Sequence, residues 1–283
     1  MVEFVAFDHI HEALSFLSQN RRQSKILSGG TDLLIALRKK DPSLNSVKYI
    51  LSLNHIPSLK NITCNDFECV IGGATTFKTI LSNKGIIENF PLLADAVLQI
   101  GSPQIRNVAT IGGNICNLAA CADSIAPLLI YDAKVRIQSV DSDRVIPLEK
   151  ILIKPYTVNI QSHEILSEVL LPLPDKTGKS CFHKLGRRRG VSISRMSYAI
   201  YIRTENSTLM DFRIALGSLF PIPRRLRSLE NEIIGSEVNP QLWRDVSRKI
   251  AHQIVDETGI RWSTRYKSPT IQQLLYTSLT QLT

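Results

Sequence analysis

The sequence predicts an α+β protein in two parts, a mixed strand and helix region over residues 1–175 and a smaller α+β cap over residues 176–283. Three observations carry this. Short apolar runs alternate with amphipathic helical patterns through the first part, separated by glycine-rich turns. Pro172, Pro174 and Asp175-Lys-Thr-Gly178 form the strongest linker signal in the chain. Beyond that linker a strand pair precedes three helical patterns, the order expected of an α+β unit. With 283 residues, 43% hydrophobic and 21% charged, the chain is long and apolar enough to bury a sizeable core.

The elements follow in order. Ile10, Ala13, Leu14 and Leu17 recur at helical spacing after Asp8, a good N-cap, and predict a helix over about 9–19. Lys25-Ile-Leu27 reads as a short strand feeding Ser28-Gly-Gly-Thr-Asp-Leu33, and the apolar run to Arg38 reads as a helix. Tyr49-Ile-Leu-Ser52 and Cys69-Val-Ile-Gly-Gly-Ala74 read as strands, the latter followed by a capped helix start at Thr75 and Thr76. The pair Gly72-Gly73 has few polar neighbours and reads as a strand-to-turn feature. Leu92 to Leu98 has helical periodicity, Ile125 to Ile130 reads as a buried helix, and Lys134-Val-Arg-Ile-Gln138 alternates as a strand does. In the cap, 197–203 and 209–216 read as strands around the turn Glu205-Asn-Ser207, with helices near 226–234, 243–255 and 268–279.

Composition limits the function classes. No apolar run is long enough to span a bilayer, and the first residues lack a basic leader pattern, so a cytoplasmic protein is expected. Five cysteines, with no C-x-x-C and no histidine at ligand spacing, read as reduced structural or loop thiols and predict no metal site. The net charge of +9 permits an anionic ligand, an acidic partner or nucleic acid. Its clusters, Lys184 with Arg187-Arg188-Arg189 and Arg224-Arg225-Leu-Arg227, lack the interleaved aromatics of a base-stacking platform, which argues against nucleic acid. The second cluster reads as a solvated face.

Two glycine-rich segments hold the chemistry. Ser28-Gly29-Gly30-Thr31-Asp32-Leu33 and Ala109-Thr110-Ile-Gly112-Gly113-Asn114 together suggest a phosphate clamp built from two loops. A glycine pair lets the backbone take φ > 0 and lets a ligand approach, while successive N–H groups make an anion site. The first segment runs into a helix start, where orphan N–H groups favour phosphate. The second adds Thr110, Asn114, Asn117 and Asp123, which can bond hydroxyls or a ring edge. Neither G-x-G-x-x-G nor a P-loop string occurs. Each glycine pair alone also fits an ordinary tight turn.

Gln104-Ile-Arg-Asn-Val-Ala-Thr-Ile-Gly-Gly-Asn-Ile-Cys-Asn117, Ala122-Asp123-Ser-Ile-Ala-Pro127 and Phe182-His-Lys184 with its arginines, joined to the first loop, resemble the FAD-binding medium subunits of the molybdenum hydroxylases. The resemblance covers essentially the whole chain, and residues 100–132 most resemble bacterial xanthine dehydrogenase FAD subunits. It implies a vanillyl-alcohol-oxidase-like (PCMH-type) FAD-binding fold: two α/β subdomains, about 1–57 and 58–175, with the α+β cap behind them. By the same resemblance, Leu27, Ser28, Gly29, Gly30, Thr31, Asp32 and Leu33 wrap the FAD diphosphate. Thr110, Gly113, Asn114 and Asn117 hold the diphosphate and ribityl region from the other side. Asp123 bonds the adenosine part, Ile100 and Gly101 line the cavity, Leu166 packs near the flavin and Lys184 approaches the isoalloxazine ring. Plainer readings exist for three of these: Asp123 as a helix N-cap, Leu166 as core and Lys184 as surface charge.

The implied role is electron transfer. A molybdenum cofactor on one partner subunit hydroxylates substrate, [2Fe-2S] centres on another carry electrons, and the FAD collects them for NAD+ or another acceptor. No residue of this chain is then needed as general acid, base or nucleophile. One departure stands out. Many members place an Asp in R-R-x-x-D-I-A, where this chain has Ser192 before Ile193 and Ser194. That loop is more electropositive as a result, which favours reduced flavin and anionic acceptors. Two other readings, a flavin-free scaffold subunit and a basic nucleic-acid-binding protein, do not call for the glycine loops.

Overall fold

The structure, a computed structural model, describes residues 2–188 and 190–283. Met1 of the N-terminal stretch and Arg189 of the arginine cluster lie outside the described residues.

The N-terminal region is built from β1 (Glu3–Ala6), α1 (Ile10–Asn20), β2 (Ser24–Leu27), α2 (Leu33–Arg38) and β3 (Tyr49–Ser52). The strands lie in the order β1-β3-β2, all parallel, with Val5 and Ile26 flanking Leu51. Parallel neighbours need crossovers, and α1 supplies one, burying Ala13, Leu14 and Leu17 against Leu51 and Leu53. His9, not Asp8, holds the N-cap position of α1, and its side chain makes no capping bond.

A second sheet follows. Its first strands are β4 (Ile62–Cys64) and β5 (Glu68–Gly72). A helical block comes next: α3 (Phe77–Ser82), α4 (Lys84–Asn89), α5 (Pro91–Leu98), α6 (Pro103–Arg106), α7 (Ile111–Asn117) and α8 (Ile125–Ile130). The chain then returns through β6 (Lys134–Gln138), β7 (Asp143–Pro147), the small hairpin β8 (Leu152–Lys154) and β9 (Thr157–Val158), and β10 (Ile165–Pro172). The sheet order β4-β5-β10-β6-β7 is antiparallel throughout. Because α8 is apolar on every side, it sits wholly inside the core made by the helical block, β5, β6 and β10.

The third sheet joins β11 (Lys179–Gly186), β12 (Ser194–Glu205), β13 (Thr208–Gly217) and β14 (Arg224–Arg225) in that order. Asn206 and Ser207 turn β12 into β13 with φ of 47° and 62°, a hairpin turn that matches strand twist. α9 (Arg227–Ile233), α10 (Pro240–Thr258) and α11 (Thr264–Leu282) complete the chain. The unbroken apolar run of β12 has a direct cause. Tyr198, Ile200 and Ile202 face the core under α10 and α11, while Ala199 and Tyr201 face the core shared with the second sheet.

Two sequence expectations are corrected here. Cys64 and Cys69 are bonded as a disulfide, because they are direct cross-strand partners in the β4–β5 hairpin, with Cα atoms 4.0 Å apart. Their spacing alone did not reveal that hairpin. Cys116, Cys121 and Cys181 are free. The Arg224 to Arg227 cluster is not a solvated face. Arg225, its side chain 8% exposed, pairs with Glu230 and Asp132 at 2.8 Å each. Arg227 and Arg213 also reach Asp132, at 2.9 and 3.1 Å. Burial pushes the Asp132 carboxyl up, but Arg227, Arg225 and Arg213 outweigh it and hold the group below the usual carboxylate range. This network clamps the end of α8 to β13, β14 and α9.

Candidate functional site

A cavity of about 420 Å³ opens where the N-terminal region meets the second sheet. It is lined by residues 28–33, by Thr110, Gly112, Gly113, Asn114, Cys116 and Asn117, and by Tyr156, residues 160–162 and residues 164–166. The two glycine loops are therefore neighbours, as the clamp requires. Ser28 and Thr110 join them directly through a hydroxyl–hydroxyl hydrogen bond of 2.8 Å.

Glycine is needed in both loops because backbones touch. A Cβ at Gly29 would lie 2.3 Å from the Val108 carbonyl oxygen, and one at Gly112 would lie 2.5 Å from that of Gly73. Gly73 is likewise closed off by the Leu166 carbonyl at 2.2 Å, and it lines the cavity. The third glycine pair is thus part of the site's frame, contrary to its reading as a mere turn.

The loops differ in what they offer a ligand. Among the described residues, the backbone N–H groups of 28–33 have no hydrogen-bond partner, and Gly30 has φ of +72°. A run of free N–H groups lining a cavity is a strong anion site, since such groups are rarely left unpaired. In the second loop the corresponding donors are spent. Ile111 N–H donates to Thr75 O, Gly112 N–H to Gly73 O and Gly113 N–H to Thr110 Oγ1. Gly113 supplies surface there, not a donor. Asn114 accepts from Ser124 through Oδ1 at 2.7 Å, which leaves its amide NH2 for a ligand, and Asn117, which lines the cavity, has no side-chain partner among the described residues. The arrangement fits a diphosphate on residues 28–33, with amide side chains opposite.

Five of the predicted residues lie off this cavity. Leu27 packs beneath the first loop, its Cδ1 3.0 Å from where a Gly30 Cβ would be. Ile100, Gly101, Asp123 and Lys184 form a second cluster. Lys184 Nζ is 2.8 Å from Asp123 Oδ2 and donates to Gln99 O at 2.8 Å, while Ser194 Oγ donates to Asp123 Oδ1 at 2.7 Å. Arg106 holds the carbonyls of Ile100 and Gly101, each at 3.0 Å. The side chains of Asp123 and Lys184 are 3% and 8% exposed, so Lys184 is no surface charge. Nor does Asp123 cap α8, where Ser124 holds the N-cap position. The two residues, expected at opposite ends of an extended cofactor, meet at one point. Ser124, bonded to Asn114, links that point to the cavity. Leu166 is nearly buried and lines the cavity wall.

No local signal in the sequence marks the third wall, which is formed by Tyr156, Val158, Ile160 to Ser162, Glu164 and Ile165. Its anchor is Glu164, which accepts from Arg144 Nη2 at 2.9 Å and from the Gln161 N–H at 2.7 Å. The Arg144 hydrogen bond, against the effect of burial and helped by the Gln161 N–H, holds the Glu164 carboxyl below its usual range.

Residues 1–174 match the FAD binding domain in molybdopterin dehydrogenase, and residues 180–282 match the CO dehydrogenase flavoprotein C-terminal domain. The chain belongs to the FAD-binding subunits of the molybdenum hydroxylases. It is 32% identical to the xanthine dehydrogenase FAD-binding subunit of Escherichia coli O157:H7, over 97% of this chain and 94% of that one. It is 28% identical to the glyceraldehyde dehydrogenase medium chain of Sulfolobus acidocaldarius, over 96% and 94% of the two chains. The structure of a carbon monoxide dehydrogenase from Hydrogenophaga pseudoflava superposes with a TM-score of 0.89 at 22% identity, covering 99% of this chain and 96% of that chain. At that identity the likeness speaks to fold, and the fold of this FAD-binding subunit is the PCMH type. It is an oxidoreductase subunit whose cofactor is FAD. Among the described residues no helix is long and apolar enough to cross a membrane, and no group of three or more His, Cys, Asp and Glu is placed to hold a metal ion.

Proposed function

We propose that this subunit holds FAD in an extended form, takes electrons from [2Fe-2S] centres on one partner subunit and passes them to NAD+ or another acceptor. Substrate hydroxylation then takes place at a molybdenum cofactor on another partner. The free N–H groups of residues 28–33 carry the reading, since they offer a diphosphate what α7 cannot. When bound, FAD supplies a centre that accepts electrons singly and releases them as a pair. The chain's own residues bind and orient it. Residues 28–33 hold the diphosphate, Thr110 fixes the loop through Ser28, and Asn114 and Asn117 present amides to the ribityl side. Ile100, Gly101 and the Lys184–Asp123 pair would frame the ring end. We read residues 1–175 as the FAD-binding domain, 176–283 as the cap, and the cytoplasm as the compartment.

The visible absorbance of the purified chain tests this, with chromatography of what heat releases. About one equivalent of FAD is expected, and reduction by NADH then tests the acceptor. A colourless chain that fails to take up added FAD would overturn the reading in favour of a flavin-free scaffold subunit.

A further inference from the structure

The net charge of +9 is not spread evenly. Residues 176–204 and 258–283 contain no Asp or Glu, and the fold brings the two stretches together. The guanidinium of Arg195, at the start of β12, lies 5.9 Å from the ring centroid of Trp262, in the loop between α10 and α11. Lys267, in the first turn of α11, donates to Ser218 O at 3.1 Å, and Ser218 N–H donates to Ala120 O at 2.9 Å. Burial lowers the Lys267 pKa, and repulsion from Arg195 and Arg261 lowers it further, so these three cations are close neighbours. Among the described residues, Arg187, Arg195, Arg261 and Arg265 lie beyond ion-pair distance of any carboxylate. In the Asp132 network, by contrast, every arginine is neutralised.

Amid these unpaired cations stand Trp262, Ile260 and Ile193, exposed by 83%, 86% and 76%. An indole and two aliphatic side chains held in water gain most from a partner large enough to cover all three. Trp and Arg are the residue types that dominate protein interfaces when covered. Nucleic acid would want a row of stacking aromatics, where this edge offers one exposed indole. The edge is tied to the Lys184–Asp123 cluster through Ser194, next to Ile193 in sequence. It therefore borders the end of the site assigned above to the flavin ring, where a protein delivering electrons has to approach.

We propose that this edge of the cap docks an acidic face of the electron-donating iron–sulfur subunit, with Trp262 as the apolar anchor and Arg195 and Arg261 as the charged rim. The proposal rests on the reading that electrons reach this chain from a partner subunit. It is tested with the full chain and the purified iron–sulfur subunit, by calorimetric titration at low and high salt, using Trp262→Ala and the double variant R195E/R261E. FAD content is measured on every sample. Trp262→Ala is expected to weaken binding about 30-fold. The charge reversal is expected to slow association and to flatten the salt dependence seen in the parent. If both variants bind the subunit as the parent does while keeping their FAD, the docking proposal falls and the flavoprotein reading stands. If the parent holds no FAD yet loses the subunit on Trp262→Ala, docking stands and the flavin reading falls. Displacement of the subunit by NAD+ or by a single-stranded oligonucleotide, abolished by Trp262→Ala, would overturn the assignment to an acidic protein.

Discussion

Replacing Lys184 by Met tests how much one buried ion pair contributes to holding the cap on the cofactor-binding region. The substitution keeps the length and apolar stem of the side chain and removes only the ammonium. Asp123, 3% exposed, would then keep the Ser194 hydroxyl as its sole side-chain partner, and Gln99 O would lose its donor. A carboxylate stranded in this way costs about 3–5 kcal/mol. For 283 residues at ~2.1 cal/mol/K each, the unfolding entropy at the midpoint is about 0.6 kcal/mol/K, so ~4 kcal/mol lowers Tm by about 7 °C. Far-UV circular dichroism on FAD-free protein reads this, because bound ligand would add its own stabilisation. Asp123→Asn in the Lys184→Met background removes the stranded charge and is expected to restore most of the loss. A Lys184→Met protein melting within about 1 °C of the parent, or a double variant as unstable as the sum of the singles, would refute the argument.

Three further outcomes are expected. Gly29→Ala forces a methyl group to 2.3 Å from Val108 O and 2.8 Å from Ala109 Cα, so the two loops must part; it should cost about 1–3 kcal/mol and release FAD on desalting, whereas Gly190→Ala, with nothing within 4 Å, should not. Full retention of FAD by Gly29→Ala would refute the close-packing account. Glu164, its carboxyl held below the ordinary 4.5, adds stability that is full above that pH and is lost as pH falls through its folded value. Arg144→Gln should therefore lower the urea midpoint at pH 7, by about 1.5–3 kcal/mol in stability, and the gap to the parent should narrow as pH falls below 4.5; a gap that stays constant over that range would refute it. Alkylation of the denatured, unreduced protein should label Cys116, Cys121 and Cys181 alone, with Cys64 and Cys69 joining only after reduction, and labelling of all five without reductant would refute the bond.

Local pattern made much of the fold legible. The strand at Tyr49–Ser52 and the helix at Ile125–Ile130 fall where the sequence puts them because each is a short run rich in apolar residues, and the strand at Lys134–Gln138 does so because its apolar and polar residues alternate. The turn at Asn206 and Ser207 was legible for a similar reason, since short polar residues tolerate positive φ. Strand β11 was not legible. Its residues mix Lys179, Ser180, His183 and Lys184 with apolar ones, and it becomes a strand by pairing along its own full length with β12. The β4–β5 hairpin escaped notice too, because β4 is only Ile-Thr-Cys and draws its register from β5.

The candidate site divides along the same line, between what a loop does alone and what requires two. Glycine pairs at Gly29-Gly30 and Gly112-Gly113 mark both loops in the sequence, but the pairs do different work. The first leaves unpaired the N–H groups of 28–33, residues that line the cavity. The second lets α7 press against Gly73, spending its own N-terminal donors on Gly73, Thr75 and Thr110. A helix start that would bind phosphate in isolation is thereby turned into a buttress for the loop that does. The difference lies in which carbonyl oxygens come within reach after folding, and no spacing within either loop encodes that. The meeting of Asp123 with Lys184 has the same origin: it exists only because β11 packs against the end of α5, which brings Gln99 O and the Asp123 carboxylate to one ammonium.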